Sequence, residues 1–149
     1  MGIRSIIFRG KRLDNGEWIE GILFNAKEDT FIIPHGNEYR YDELEGLVFD
    51  VYGCKVIHET VGQYTGLTDR NGKKIFEGDI IWLNRRYYKV IYDTLFYAGF
   101  CARDLDGDIV SLSRICVEYD VVGNIYQKFF QEYSDFYKSE MNCQLGVIK

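Results

Sequence analysis

Two histidines, His35 and His58, and four cysteines, Cys54, Cys101, Cys116 and Cys143, are the side chains best suited to hold a soft metal or to serve as nucleophile and base. Cys54 and His58 stand four apart and, with Cys101 and Cys116, would complete a four-ligand zinc set. Structural zinc sites bring their ligands in close pairs such as C-x2-C, and no such pair is present. If Cys54 to His58 is a strand, the two side chains share a face but stand more than about 10 Å apart. The spacing therefore argues for free thiols, as in a reducing cytoplasm, and for neither a metal nor any other cofactor. Cys54 with His35 could form a nucleophile–base pair. Nothing in the sequence supplies an orienting third group, and no Ser or Cys lies in a strained elbow.

Carboxylates offer two further arrangements. Asp104-Leu105-Asp106-Gly107-Asp108 has the spacing of the start of a calcium loop, but the EF-hand pattern places Gly at position 6 and Glu at position 12. Those positions hold Ile109 and Ile115, so the segment reads as a hairpin turn flanked by acids. Glu77 and Asp79 sit at strand spacing on one face, as paired acid and base groups would, although Gly78-Asp79 also suits the turn that opens a strand. Gly62-x3-Gly66 lacks the Gly-Lys-Ser/Thr of a phosphate loop. No catalytic residue is assigned, and an enzyme of unidentified class stands as the third reading of the chain.

Binding chemistry is better represented. Residues 1–12 carry Arg4, Arg9, Lys11 and Arg12 with no acid, and a second basic group comprises Arg85, Arg86 and Lys89. Trp18, Trp82, Tyr87 and Tyr88 lie among them, the mixture of cations and stacking surfaces that single-stranded nucleic acid requires. The formal charge of −5 opposes binding to a phosphate backbone at long range, so the first expectation for the N-terminal cations is that they solubilise the outer face of a strand. Near the end of the chain Tyr126, Phe129, Phe130, Tyr133, Phe136 and Tyr137 fall at 0, +3, +4, +7, +10 and +11. That spacing predicts one aromatic stripe on an α-helix over residues 127–149. Each large aromatic buries roughly 150–250 Å², so the stripe must dock, either on its own barrel or on a neighbouring subunit. The second arrangement predicts a homo-oligomer.

The elements that position these groups are mostly strands. Ser5 to Arg12 and Trp18 to Asn25 flank Asp14-Asn15-Gly16, a hairpin signal in which Asn-Gly suits the two left-handed residues of a type I′ turn. Phe31-Ile32-Ile33 is a third short strand, ended by Pro34 and Gly36. Asn37 to Glu45 reads as loop with at most a turn of helix around Asp42 to Leu47, and Leu47 to His58 returns to strand. A connector follows, then a turn at Arg70-Asn71-Gly72 and strands over Lys74–Leu83, Tyr87–Tyr92, Leu95–Arg103, Asp108–Ser113 and Cys116–Ile125, with a turn at Asp106-Gly107. These short strands with tight connections predict a small bent barrel of SH3-like type. The expected organisation is an N-terminal β-rich subdomain over 1–59, a connector and barrel over 60–126, and the aromatic helix with its tail over 127–149.

Composition agrees with a folded chain: of its 149 residues 46% are apolar and 16% aromatic. No apolar run approaches the roughly 20 residues that cross a bilayer, and Ile6-Ile7-Phe8 is too short for the core of a signal peptide. The expectation is a protein of the bacterial cytoplasm with no membrane role.

Three segments carry a resemblance. Thr60 to Ile80 reads T-V-G-Q-Y-T-G-L-T-D-R-N-G-K-K-I-F-E-G-D-I, the N-terminus reads I-I-F-R-G-K-R-L-D-N-G-E-W, and Val122-Gly123-Asn124-Ile125-Tyr126 lies near the end. Together, and in this order over roughly residues 3 to 127, they resemble the YopX family of phage and prophage proteins. The resemblance implies an opening strand and hairpin, a central signature and a closing strand, and it implies no particular reaction. Within the signature, Gln63, Tyr64 and Thr65 admit two readings. Tyr64 packs while Gln63 or Thr65 satisfies buried backbone groups, or the three line a pocket or interface with Asp79 at the junction of two β units. The leading expectation is a non-enzymatic, oligomeric binding or assembly module, with a host or phage protein as a further partner. A single-strand nucleic-acid module is the alternative.

Overall fold

The protein is described by a computed structural model, in which residues 3–35, 39–42, 46–49, 54–112 and 118–130 are placed. The chain divides into two units, Met1–Tyr64 and Thr65–Lys149. Both are built from antiparallel strands, so the chain is mainly β.

In the first unit, β1 (Phe8–Lys11) and β2 (Trp18–Ala26) form the N-terminal hairpin, and β3 (Asp29–Pro34) follows β2 through a tight turn. A separate hairpin, β4 (Tyr39–Asp42) with β5 (Gly46–Phe49), precedes β6 (Cys54–Lys55), and one 3-10 turn covers His58–Thr60. Strand β7 (Gly62–Thr68) begins beside β1, which gives the order β6-β3-β2-β1-β7. Among the described residues of this unit, Ile7, Ile32 and Val56 are the buried apolar side chains. Thr60 completes the packing by accepting the Lys11 N–H at 2.9 Å and donating to the Ile57 carbonyl at 2.6 Å.

The second unit contains the last residues of β7, then β8 (Lys74–Phe76) beside it, and a sheet of β9 (Asp79–Leu83), β10 (Arg86–Asp93), β11 (Gly99–Arg103), β12 (Ile109–Ser111) and β13 (Asp120–Asn124) in the order β12-β11-β10-β9-β13. Neighbouring residues on a strand point to opposite faces, and both Ile80 and Ile81 are fully buried, so β9 is covered on both sides. Ile81 belongs to the main cluster with Ile75, Leu83, Tyr88, Val90, Ala102 and Tyr119. Ile80 packs with Ile125 and Phe130 in a smaller one.

Several expectations are corrected here. The segment expected as loop or helical turn after Asn37 holds the β4–β5 hairpin, because Tyr39 and Tyr41 alternate with Arg40 and Asp42 in strand period. The connector is itself a strand, β7, as its Tyr, Thr and Leu residues favour. Lys74 to Leu83 is two strands broken by a turn at Glu77-Gly78, which removes Glu77 from the strand face of Asp79. The barrel is open: among the described residues β12 and β13 are edges that do not pair with each other. Closure of so few strands demands strong bending throughout, whereas β12 has three residues and the only register break in β13 lies between Val121 and Gly123.

The α-helix does not begin at Tyr126. The Gln127 N–H donates to the Asn124 carbonyl at 3.1 Å and the Phe130 N–H to the Gln127 carbonyl at 2.9 Å, the three-residue spacing of turns and 3-10 geometry, while Asn124 Oδ1 and Gln127 Oε1 cap the N–H groups of Tyr126 and Asn124 at 3.0 Å each. A 3-10 turn over Lys128–Phe130 follows. Tyr133, Phe136 and Tyr137 lie outside the described residues. The first hairpin also differs from type I′. Only Gly16 has positive φ, at 71°, and the loop closes through Arg12 N to Glu17 O at 2.9 Å. The type I′ pattern occurs instead at Asn84 and Arg85, with φ of 48° and 65°, where Leu83 faces Arg86.

Candidate functional site

Hydrogen bonds account for several polar side chains of the signature, among them Thr65, Asp69, Arg70 and Asn71. Gly62 and Gln63 pair with Arg9 and Phe8 of β1, and the Tyr64 N–H donates to the Ile7 carbonyl at 2.7 Å. In the second unit the Thr65 hydroxyl donates to the Ile75 carbonyl at 2.9 Å and accepts the Leu67 N–H at 3.2 Å. The turn after β7 is organised by Asp69. Its Oδ1 accepts the N–H groups of Asn71 and Lys73 at 2.8 and 2.9 Å, and its Oδ2 accepts the Val121 N–H of β13 at 3.0 Å. Burial pushes this carboxyl up, but the three N–H groups outweigh that and hold it below the usual carboxylate range. Arg70 adds a two-pronged contact to Asp120 at 2.7 and 2.6 Å, which Asn71 joins at 3.1 Å.

Each conspicuous segment of the sequence therefore touches the signature: the opening strand pairs with its start, and the closing strand is tied to its turn. Residues 7–128 match the family described as YopX protein. The chain belongs to the YopX family. No curated protein matches it. Among solved structures this YopX-family chain resembles protein EF1440 from Enterococcus faecalis, with a TM-score of 0.52, 20% identity, and coverage of 86% of this chain and 99% of that one. That similarity shows a shared fold.

Gln63 and Tyr64 lie in the first unit, Thr65 and Asp79 in the second. Asp79 is buried and accepts the Phe76 N–H at 2.8 Å, which sets the turn between β8 and β9. Two more acids act alike. Asp93 accepts the N–H groups of Phe96 and Tyr97, both at 2.7 Å, and Asp104 accepts those of Asp106 and Asp108 at 3.0 and 2.8 Å. The Asp104–Asp108 segment is a turn capped by Arg86, whose guanidinium reaches Asp104 at 2.9 Å and Asp108 at 3.3 Å. Glu77 differs: burial raises its carboxyl above the usual range, although Lys89 pulls the other way.

Among the described residues, no three of His, Cys, Asp or Glu gather as a metal site. His58 Nδ1 lies 2.9 Å from the Thr30 hydroxyl. Burial, reinforced by Asp93, pushes the Cys101 thiol up to about 11, which leaves almost no thiolate at neutral pH. Cys116 and Cys143 lie outside the described residues.

The basic residues have divergent fates. Arg9 and Lys11 sit over the Trp18 ring, 4.8 and 5.5 Å from its centroid, and Arg12 pairs with Asp14. Arg4 and Arg85 are exposed, Arg86 is engaged by the acidic turn, and Lys89 is buried. Trp82 and Tyr87 pack with centroids 4.5 Å apart and ring planes tilted by 53°. From the aromatic stripe, Phe130 is buried against Tyr87 and Ile80, Tyr126 is half-buried beside it, and Phe129 is 74% exposed. The sequence reading passes over Ile22 and Phe24, both exposed on β2. Their signal is that Ile22-Leu23-Phe24 is apolar without alternation, where a half-buried strand would alternate.

Proposed function

We propose that this YopX-family chain is a non-enzymatic binding or assembly module of phage or prophage kind that works as a homo-oligomer in the bacterial cytoplasm. The observation that carries this reading is how the reactive side chains are used. Asp69, Asp79, Asp93 and Asp104 are buried, and each accepts backbone N–H groups that shape a turn. A carboxylate so engaged has little capacity left for proton transfer. Exposed aromatic surface, by contrast, is plentiful, with Phe129 standing out at the end of the described chain. The strand order of the second unit, in which β13 returns to lie beside β9, supports an SH3-like character for that sheet.

The alternative, a single-strand nucleic-acid module, draws its support from Arg9 and Lys11 stacked on Trp18, with Arg4 exposed nearby in sequence. Arg86 and Lys89 support it less, being engaged and buried. The deciding experiment is the mass of the purified full-length protein in solution by light scattering. A mass of two or more chains is expected, and a single-chain mass at every concentration would overturn the oligomeric reading.

A further inference from the structure

The sheet of the first unit is built the wrong way round for a surface that faces water. An antiparallel sheet with one solvated face carries polar residues outward. On β1 and β2 the inward positions include Gly10, where Ile32 and Val56 come close to the backbone, and Gly21, where the Ile33 carbonyl does. The outward positions of β2 are Trp18, Glu20, Ile22 and Phe24, and the three apolar ones are 37%, 55% and 48% exposed. Register strengthens the pattern: Ile22 stands opposite Ile33, and Phe24 opposite Phe31, so two cross-strand apolar pairs lie side by side on the outer face.

We infer that this outer face is the surface through which two copies of the chain associate, an inference that rests on the oligomeric reading above. Area is the first argument. Trp18, Ile22 and Phe24 leave on the order of 300 Å² in water, before Phe31 and Ile33 are added. That already reaches the size of the largest apolar patch of a typical monomer. Strands β1, β2 and β3 hold 4, 9 and 6 residues, which at about 3.3 Å rise and 4.8 Å spacing give a face of about 300 Å² in projection. With side-chain relief, that fits a small, reversible contact of under about 600 Å² per partner.

Charge is the second argument. Arg9 faces Glu20 in the register of β1 and β2, Arg9 and Lys11 lie over Trp18, and Lys55 pairs with Asp29 at 2.7 Å. The charges on this face are therefore largely compensated within it, which leaves little attraction for a polyanion or a charged peptide. A neutral apolar sheet face matches its own copy. Two such faces pack about 10 Å apart, and a two-fold axis makes the contact self-complementary.

The test uses the full chain and the double variant Ile22→Lys/Phe24→Glu, both at exposed positions that the core does not use. Wild type should show an oligomeric mass by light scattering and sedimentation. The double variant should dissociate roughly 100-fold or more readily, because both changes place charge at the centre of the contact. Its far-ultraviolet circular dichroism should be unchanged, and Phe129→Asp should keep the wild-type mass. An oligomeric wild type whose mass survives the double variant overturns this inference while leaving the oligomeric reading intact, and loss of mass in Phe129→Asp then locates the contact at the chain's end. A monomeric wild type overturns both. A fluorescent twelve-nucleotide oligothymidylate at low salt is the remaining arm: binding by wild type that the double variant loses without a change of mass assigns the face to nucleic acid and overturns the inference.

Discussion

The two units distribute bulk in opposite ways. In the second, β9 buries Ile80 on one face and Ile81 on the other, and its turns are fixed by buried carboxylates at Asp69, Asp79, Asp93 and Asp104. In the first, Gly10 and Gly21 occupy inward positions, Trp18, Ile22 and Phe24 of β2 point outward, and among the described residues the buried polar side chains are Thr30 and Thr60. Its exposed turn acid, Asp14, pairs with Arg12 in solvent, a contact worth little. Both units leave apolar surface in water, the first on the outer face of β2 and the second at Leu95, Phe96 and Tyr97 between β10 and β11 and at Phe129. The difference teaches that similar strand content can be held in two ways, by buried carboxylates that fix turns in one unit and by close backbone approach at glycine in the other.

The sharpest way to break this contrast is at Gly21. A Cβ built there would lie 1.9 Å from the Ile33 carbonyl oxygen and 2.6 Å from its carbon, both backbone atoms that cannot retreat without parting β2 from β3. Gly21→Ala should cost on the order of 3 kcal/mol in the first unit. The chain has two tryptophans, Trp18 in the first unit and Trp82 in the second, so each reports on its own unit once the other is replaced by Phe. In a Trp82→Phe background the Trp18 transition should shift to lower denaturant. In a Trp18→Phe background the Trp82 transition should move much less, and equal shifts would show that the two units unfold as one.

The second unit is tested at Asp69. Asp69→Asn keeps one acceptor oxygen but sets an amide N–H against backbone donors, which should cost about 1–3 kcal/mol. The same carboxylate makes a prediction for pH. Its folded pKa is depressed, so its stabilisation is fully present above the unfolded carboxylate value, near 4, and is lost as pH falls through the lower folded value. Melting temperature should fall with acid more steeply in wild type than in Asp69→Asn. Parallel curves would mean that Asp69 does not anchor β13 through Val121.

Much of this architecture was legible in the chain. Period-2 runs located most strands, and Asp106-Gly107 and Arg70-Asn71-Gly72 marked turns that the structure contains. What escaped detection depends on partners distant in sequence. That Asp69 would reach Val121, 52 positions away, has no local signature. The sequence marks Trp18 as an aromatic among cations. Only the register shows Ile22 and Phe24 sharing its face, because Ile22-Leu23-Phe24 reads as equally apolar on both sides.

The smallest expected effect comes from the turns that join paired strands. In the first unit's opening hairpin the left-handed position is Gly16, at φ 71°, whereas in the second unit's β9–β10 hairpin it falls on Asn84 and Arg85 at 48° and 65°. A residue with a Cβ pays about 1 kcal/mol or more in that region, while glycine loses roughly 0.5–1 kcal/mol in chain entropy. Arg85→Gly should therefore stabilise the second unit by about 0.5 kcal/mol, which corresponds to a rise of roughly 2 °C in melting temperature. Gly16→Ala should lower the stability of the first unit, since it puts a Cβ where the backbone disfavours one. Arg85 is exposed, so the gain tests backbone geometry rather than the loss of a contact. A fall in melting temperature for Arg85→Gly would show that its side chain holds the hairpin by more than its backbone costs.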